Sequence, residues 1–311
     1  MKNIRFRRAF ALAVVLWISA ALMAVSLYMI SVTKESVDNA KRLLDKLQVQ
    51  LDSESAFEKI VFYLSSAKFW EDSAKNEING MPKRIVLNRT PFEFKVGDSN
   101  ITARVQDIGG IENVTILGMR LFALKRLVKI LTGREASNFV SDSYLDWLDT
   151  DDDPHLNGAE TPYYMVYKGR AYPSANNRYI EHPDELRLIR GFDELTDREW
   201  EKIRKYFGYS YSGSKNLMAF DEVMMKAYLD LSPSEWEQLK SLRYKDIHKY
   251  RDMFLDHIKD QEERGKMNFH PTRSFIVSLK AKKEEALDKI EVTVDVKPKV
   301  KTMINIIEFK K

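Results

Sequence analysis

Between positions 10 and 79 the chain contains neither proline nor glycine, and the first 24 residues of that stretch, 10–33, carry no charge. A run this long without a breaker reads as a single extended helix. At about 1.5 Å rise per residue, the apolar part spans the roughly 30 Å hydrocarbon core of a bilayer. Lys2, Arg5, Arg7 and Arg8 precede it. The positive-inside rule then leaves the N-terminus in the cytoplasm and exports everything after Lys34. A cleaved secretory signal competes with this reading, but the apolar run is too long for one and lacks a small-x-small exit. Past the membrane, Val37, Ala40, Leu44, Leu47 and Leu51 recur at spacings of three and four, and Phe57, Ile60, Val61 and Leu64 continue the apolar face. Such a helix sits half in lipid and half packed on an exported domain.

Strand signals follow. Residues 84–87 and 92–96 lead into the turn Gly97-Asp98-Ser99-Asn100 and then residues 101–105, which read as a hairpin. The pattern breaks at Gly109-Gly110 and becomes helical, with an amphipathic run over 119–131 stopped by Gly133. Further helices are expected over 139–148, 184–189, 197–206, 220–229, 233–242 and near 245–261. Clear alternation resumes only over 274–279, 290–296 and 302–309. The layout is therefore α+β: a long N-terminal transmembrane helix packed on an antiparallel sheet, with a large all-α domain of roughly 160 residues inserted between strands.

The inserted part holds a dense acidic segment. Between 135 and 167 there are eight carboxylates and no Lys or Arg, a crowding of like charge that favours a cation among them. Asp149, Asp151, Asp153 and Glu160 fall at the first, third, fifth and twelfth places of an EF-hand-type calcium loop. Asn157 takes the ninth place and the His155 carbonyl the seventh. Asp146, one helical turn before Asp149, is expected as a further or second-site ligand. Pro154 stands where that loop has glycine, and no clear helix start follows Glu160, so the expectation is a Ca2+ loop of EF-like spacing on another scaffold. A solvated acidic turn is the alternative. Trp147, Leu148, Tyr163 and Tyr164 are placed to anchor the loop on a core.

Four blocks in series carry a resemblance. They are the Asp146-Trp147-Leu148-Asp149-x-Asp151-Asp152 run, the Asn157-Gly158-Ala159-Glu160-x-x-Tyr163-Tyr164 run, Ala175-Asn176-Asn177, and the segment 184–191 ending in Arg190-Gly191. Their order and spacing resemble the K-type minor pseudopilin of type II secretion systems. The resemblance implies a pilin-like domain interrupted by an α-domain, with a cytoplasmic leader over 1–9 and the transmembrane half of the helix over 10–33. The periplasmic helix and first strands then cover 34–112, the α-domain with its metal loop 113–270, and the closing strands 271–311. It also implies cleavage by a prepilin peptidase between Ala9 and Phe10, with Ala9 where glycine is usual. Val14 occupies the place at which most pilin-like subunits carry glutamate, an absence shared with K-type subunits and suited to a filament tip. The implied role is to form the tip of a pseudopilus and help initiate its assembly, in a single-pass protein of the bacterial inner membrane. The implied partners are other minor pseudopilins, the major pseudopilin and the inner-membrane secretion platform. The helix face of Val37, Leu44 and Leu51 is the expected assembly surface. A membrane-anchored calcium-dependent adhesin or substrate receptor outside any filament is the alternative.

Other classes fare poorly. There is no cysteine, the five histidines form no ligand-spaced pair, and no Gly-x-Ser-x-Gly, Walker or Gly-x-Gly-x-x-Gly motif occurs, so no enzyme is expected. Asp184 and Glu185 read as acids at a helix N-terminus rather than an acid/base pair. The run 185–192 followed by a helix from 197 has a helix-hairpin-helix look, but Glu185, Asp193 and Glu194 surround it with negative charge. With a net charge of only +4, no nucleic-acid partner is expected. Leu186, Ile189 and Phe192 are expected to enter the core instead.

Overall fold

The computed structural model describes residues 3–114, 120–134, 138–168, 180, 182–209, 214–258, 264–265, 267–296 and 304–310. Its first element, α1 (Asn3–Ser66), is one continuous helix. The expected run to residue 79 is not realised. After Ser66 the chain turns into β1 (Lys68–Trp70), which pairs with β2 (Ser73–Lys75), itself paired with β3 (Arg84–Val86), all antiparallel. The stop is imposed from downstream. Asn76 Nδ2 donates to the Tyr63 carbonyl at 3.1 Å and to Ser66 Oγ at 2.8 Å, satisfying an acceptor that the ending helix leaves open. Arg84 Nη2 holds both oxygens of Asp72 at 2.9 Å, and Phe69 stacks on Phe275 with centroids 5.6 Å apart.

The expected hairpin forms from β4 (Phe92–Val96) and β5 (Ser99–Asp107), with Val96 opposite Ser99. Gly97 in its turn has φ 54°, and a Cβ there would sit 2.7 Å from Asp52 Oδ1, so glycine is required twice over. Asp52 on α1 accepts from Gln48 Nε2 at 2.8 Å and from Ser99 Oγ at 2.6 Å, tying hairpin to helix.

The chain then leaves the sheet. In order come β6 (Glu112–Asn113), α2 (Leu121–Thr132), α3 (Asn138–Leu148), α4 (Thr161–Lys168), a 3-10 segment (Pro183–Leu188), α5 (Asp197–Arg204), β7 (Phe207–Gly208) and β8 (Lys215–Asn216). After these come α6 (Glu222–Tyr228), α7 (Pro233–Leu242), α8 (Ile247–Asp256) and β9 (Met267–Asn268). Local signals set several bounds. Gly133 caps α2 at φ 72°, and capping boxes begin α5 (Thr196, Glu199) and α7 (Ser232, Glu235). The chain returns as β10 (Ser274–Lys283), β11 (Ala286–Val296) and β12 (Ile304–Lys310), giving a five-stranded antiparallel sheet in the order β12-β11-β10-β5-β4. The helical insertion lies between Asp107 and Ser274, a few residues outside the expected limits of 113 and 270.

Two separate sides of this sheet matter. On one, Ile101, Ala103, Val105, Val277, Leu279, Val292 and Val294 pack with Ile60, Tyr63 and Leu64 of α1 into a first core. The opposite side carries Arg104, Ser278 and Glu291 in register across β5, β10 and β11. The insertion has two cores of its own, and α2 divides them: Ala123 and Leu127 enter one, Leu124 and Val128 the other. Leu186, Ile189 and Phe192 are buried in the latter, as expected from the sequence. Asp107 marks the crossing point. Its carboxylate takes the Gly109 N–H at 3.0 Å, Asn216 Nδ2 at 2.9 Å and the Thr272 N–H at 3.1 Å, so the departing and returning chain meet on one side chain. Burial raises the pKa of this carboxyl against the opposing effect of those bonds.

A candidate cation-binding loop and an exposed helix face

The acidic loop runs from the end of α3 to the start of α4. That second helix was not expected, and its first turn contains Pro162, a residue suited to that place. Trp147 and Tyr164, both buried, meet edge to face at 5.3 Å and fix the two helices together. Trp147 Nε1 donates to Glu185 Oε1 at 2.8 Å, and the Arg190 N–H donates to Tyr164 Oη at 3.2 Å. Arg190 reaches the Gly158 carbonyl at 3.0 Å and lies over the rings of Phe139 and Tyr163.

Within this frame the ligand atoms of Asp146, Asp149 and His155 lie within 4.8 Å of one another. Asp146 is fully buried. Its Oδ1 accepts the His155 N–H at 3.1 Å and contacts Nδ1 of the same ring. Its Oδ2 is buried without a hydrogen-bond partner, as is Oδ1 of Asp149. A Cβ at residue 158 would fall 1.7 Å from Asp146 Oδ2, so only Gly158 lets the loop close over that oxygen. Burial, then Asp151 and Asp146, raise the pKa of Asp149. The hydrogen bond to Asp146 raises that of His155.

Of the expected ligands, Asp146 and Asp149 are thus brought together. Asp151 and Asp153 lie exposed on the loop, where Asp151 Oδ1 accepts the Asp153 N–H at 3.1 Å. Glu160 is buried at the base of α4, outside the three-residue cluster. Asn157 is held by Asp142, whose Oδ2 accepts both its N–H and its side-chain amide at 3.1 Å. The loop spacing places His155 among the calcium ligands only through its carbonyl, and it assigns no part in the loop to Asp142 or Arg190. Two buried carboxylate oxygens without donors, on Asp146 and Asp149, suit a hard cation.

On α1, Val37, Leu44 and Leu51 are 61%, 67% and 50% exposed, so this face is turned away from the first core. Ala9 and Phe10 lie within the same helix. Farther along, Val14 through Val32 present their large apolar side chains to the outside, and α1 is long and apolar enough to cross a membrane. Residues 175–177 of the third sequence block lie outside the described residues.

An exposed apolar helix thus continues into a small antiparallel sheet, with a helical domain set between the strands of that sheet. Residues 112–206 match the family described as type II secretion system, protein K. No curated protein matches the chain by sequence. A chain in the crystal structure of the GspK-GspI-GspJ complex from the type 2 secretion system of enterotoxigenic Escherichia coli shares the fold. It is 13% identical, with 89% of this chain and 98% of that chain covered and a TM-score of 0.56. The resemblance to the K-type proteins is borne out, by the family match over residues 112–206 and by the shared fold.

Proposed function

We propose that this chain is a minor pseudopilin at the tip of a periplasmic type II secretion pseudopilus, helping to start its assembly for export of folded proteins. The observation that carries the reading is α1 itself. From Val14 to Val32 its large apolar side chains are exposed, and its C-terminal half is packed on the sheet yet keeps Val37, Leu44 and Leu51 outward. A helix in lipid beside parallel neighbours needs such a stripe, because long parallel helices associate through rows of apolar side chains. The similar solved structure is itself a complex of three components, and here the corresponding partners are two other minor pseudopilins. The major pseudopilin, the inner-membrane platform and the prepilin peptidase follow from the same role, with the N-terminus cytoplasmic and the bulk of the chain periplasmic. Cleavage falls between Ala9 and Phe10. Calcium binds in the acidic loop through Asp146 and Asp149, with Asp151, Asp153 and Glu160 closing over it, and it holds the insertion in one conformation.

N-terminal sequencing of the protein from membranes, with and without an active prepilin peptidase, tests the reading. A chain beginning at Phe10 only when the peptidase is active is expected. An intact Met1 in both preparations overturns it.

A further inference from the structure

A cleft of about 940 Å³ opens between the outward side of the sheet and the inserted domain. It is lined by Arg89, Arg104, Gln106, Ser278 and Glu291 from the sheet side, and by Asp184, Arg187, Trp200, Glu201, Arg204, Lys205, Tyr206 and Asp221 from the insertion. Its five cationic side chains (Arg89, Arg104, Arg187, Arg204, Lys205) face four acidic ones (Asp184, Glu201, Asp221, Glu291), and Asp197, the partner of Arg187, makes the charges even. Most of these charges are already engaged. Arg204 pairs with Asp184, Arg187 with Asp197, Tyr206 Oη donates to Asp221 at 2.9 Å and Ser278 Oγ to Glu291 at 2.7 Å.

Arg89 and Arg104 are the exceptions. Neither guanidinium has a hydrogen bond or ion pair among the described residues. Arg89 holds a left-handed backbone with φ 65°, an uncommon conformation for a residue with a Cβ, and its N–H donates to the Val105 carbonyl at 3.0 Å. Burial lowers the pKa of its guanidinium, while Glu291, Tyr206 and Asp221 oppose the shift without contacting it. A partly buried arginine with open donors, on a strained backbone that fixes its direction, is a group waiting for an acceptor.

We propose that this cleft recognises a carboxylate-bearing segment of a partner protein, gripped by Arg89 and Arg104 with Lys205 at the rim. Three features favour a protein carboxylate. The cleft, neutral once Asp197 is counted, takes up a monoanion at lower electrostatic cost than a phosphate dianion. The recess excludes a flat membrane surface. Trp200 and Ile111 in the walls supply apolar contact for the methylene stem of a glutamate. On the adjoining row of the sheet, Thr102 stands opposite Lys280 and Lys280 opposite Lys289; both lysines are exposed, with Glu93 the opposing charge, and this raises the positive field at the entrance. The site goes beyond the filament role and does not depend on it.

The test is fluorescence anisotropy of labelled hexaglutamate with the full-length protein in non-ionic detergent. Saturable binding is expected. Arg104→Gln, whose side chain is exposed and so leaves the fold alone, weakens it about fivefold or more, as loss of one charge-assisted hydrogen bond requires. Arg89→Gln in addition weakens it further, and Lys249→Gln, outside the cleft, changes it by less than about twofold, the range expected for a remote surface charge. Three results overturn the proposal: no saturable binding, an equal loss in Lys249→Gln, or displacement by inorganic phosphate at the concentration at which unlabelled hexaglutamate displaces the probe.

Discussion

The indole nitrogen of Trp147 donates to Oε1 of Glu185 at 2.8 Å, joining two acidic sequence blocks 38 residues apart. Trp147 closes α3 just before the loop, and Glu185 lies in the 3-10 segment that follows α4, so this bond holds the loop's base to the third core. Trp147→Phe keeps most of the ring but removes the donor and some buried volume. The expected loss is about 1–3 kcal/mol. At roughly 2–4 °C per kcal/mol for a chain of this size, the melting midpoint falls by several degrees. Thermal denaturation followed by circular dichroism checks this, and an unchanged midpoint refutes it.

Gly158 gives a sharper test of the same loop. A methyl group there meets Asp146 Oδ2 at 1.7 Å, and that carboxylate, fixed by the His155 N–H, has no room to retreat. Gly158→Ala should destabilise the insertion by about 1–3 kcal/mol, an overpacking cost. Asp146→Ala, which clears the obstruction, should recover part of that loss when the two are combined. Additive losses in a double-mutant cycle refute the contact.

For calcium, a ligand that binds only the folded chain stabilises it by about 2.7 kcal/mol at a hundredfold excess over Kd. Millimolar calcium should therefore raise the melting midpoint and a chelator reverse the gain. Asp149→Ala with Glu160→Ala should abolish it, and Asp151→Ala with Glu160→Ala tests the wider ligand set. Identical wild-type curves in calcium and in chelator leave the loop as a solvated acidic turn.

Where the sequence was legible, the information was local. Gly133 ends α2, and Ser232-Pro233 with Glu235 starts α7, because each cap is made within a few residues. Alternation over 92–105 and 274–296 placed the sheet. The end of α1 was not legible, because Asn76 and Arg84 impose it from later in the chain while Ser66 itself carries no stop signal. The start of α4 was legible and overlooked: Pro162 marked it. In the loop, spacing found Asp146 and Asp149 but could not show that the turn folds the ring of His155 back onto Asp146. The arginine cleft had no signal, since Arg89 and Arg104 are joined there by residues of the insertion and of β10 and β11 from much later in the chain.

Asp107 predicts a pH dependence. A carboxyl whose pKa is higher in the folded chain binds its proton more tightly there, so its contribution is full below the ordinary value of 3.8 and is lost as pH rises through the raised folded value. Asp107→Asn cannot titrate and turns a donor toward the Gly109 and Thr272 N–H groups, so it is less stable at every pH, by about 1–3 kcal/mol. The wild-type advantage should shrink as pH rises above about 4. Urea denaturation of both proteins from pH 4 to pH 8 measures it, and an advantage that grows with pH refutes the assignment.

Leu44 decides whether the outward face of α1 is an interface. It is 67% exposed, whereas Ile60, Tyr63 and Leu64 farther along the same helix are fully buried against the sheet. Leu44→Glu therefore removes little from the first core and should change stability by no more than about 0.5 kcal/mol, as surface substitutions do. In an assembled filament tip the same side chain would face an apolar neighbour, and burying an unpaired carboxylate there costs several kcal/mol, enough to abolish association. Co-purification of the two other minor pseudopilins with wild-type and variant chains gives the answer. Loss of the partners with an unchanged melt places the interface on Val37, Leu44 and Leu51. Full retention of both partners moves it elsewhere on the molecule.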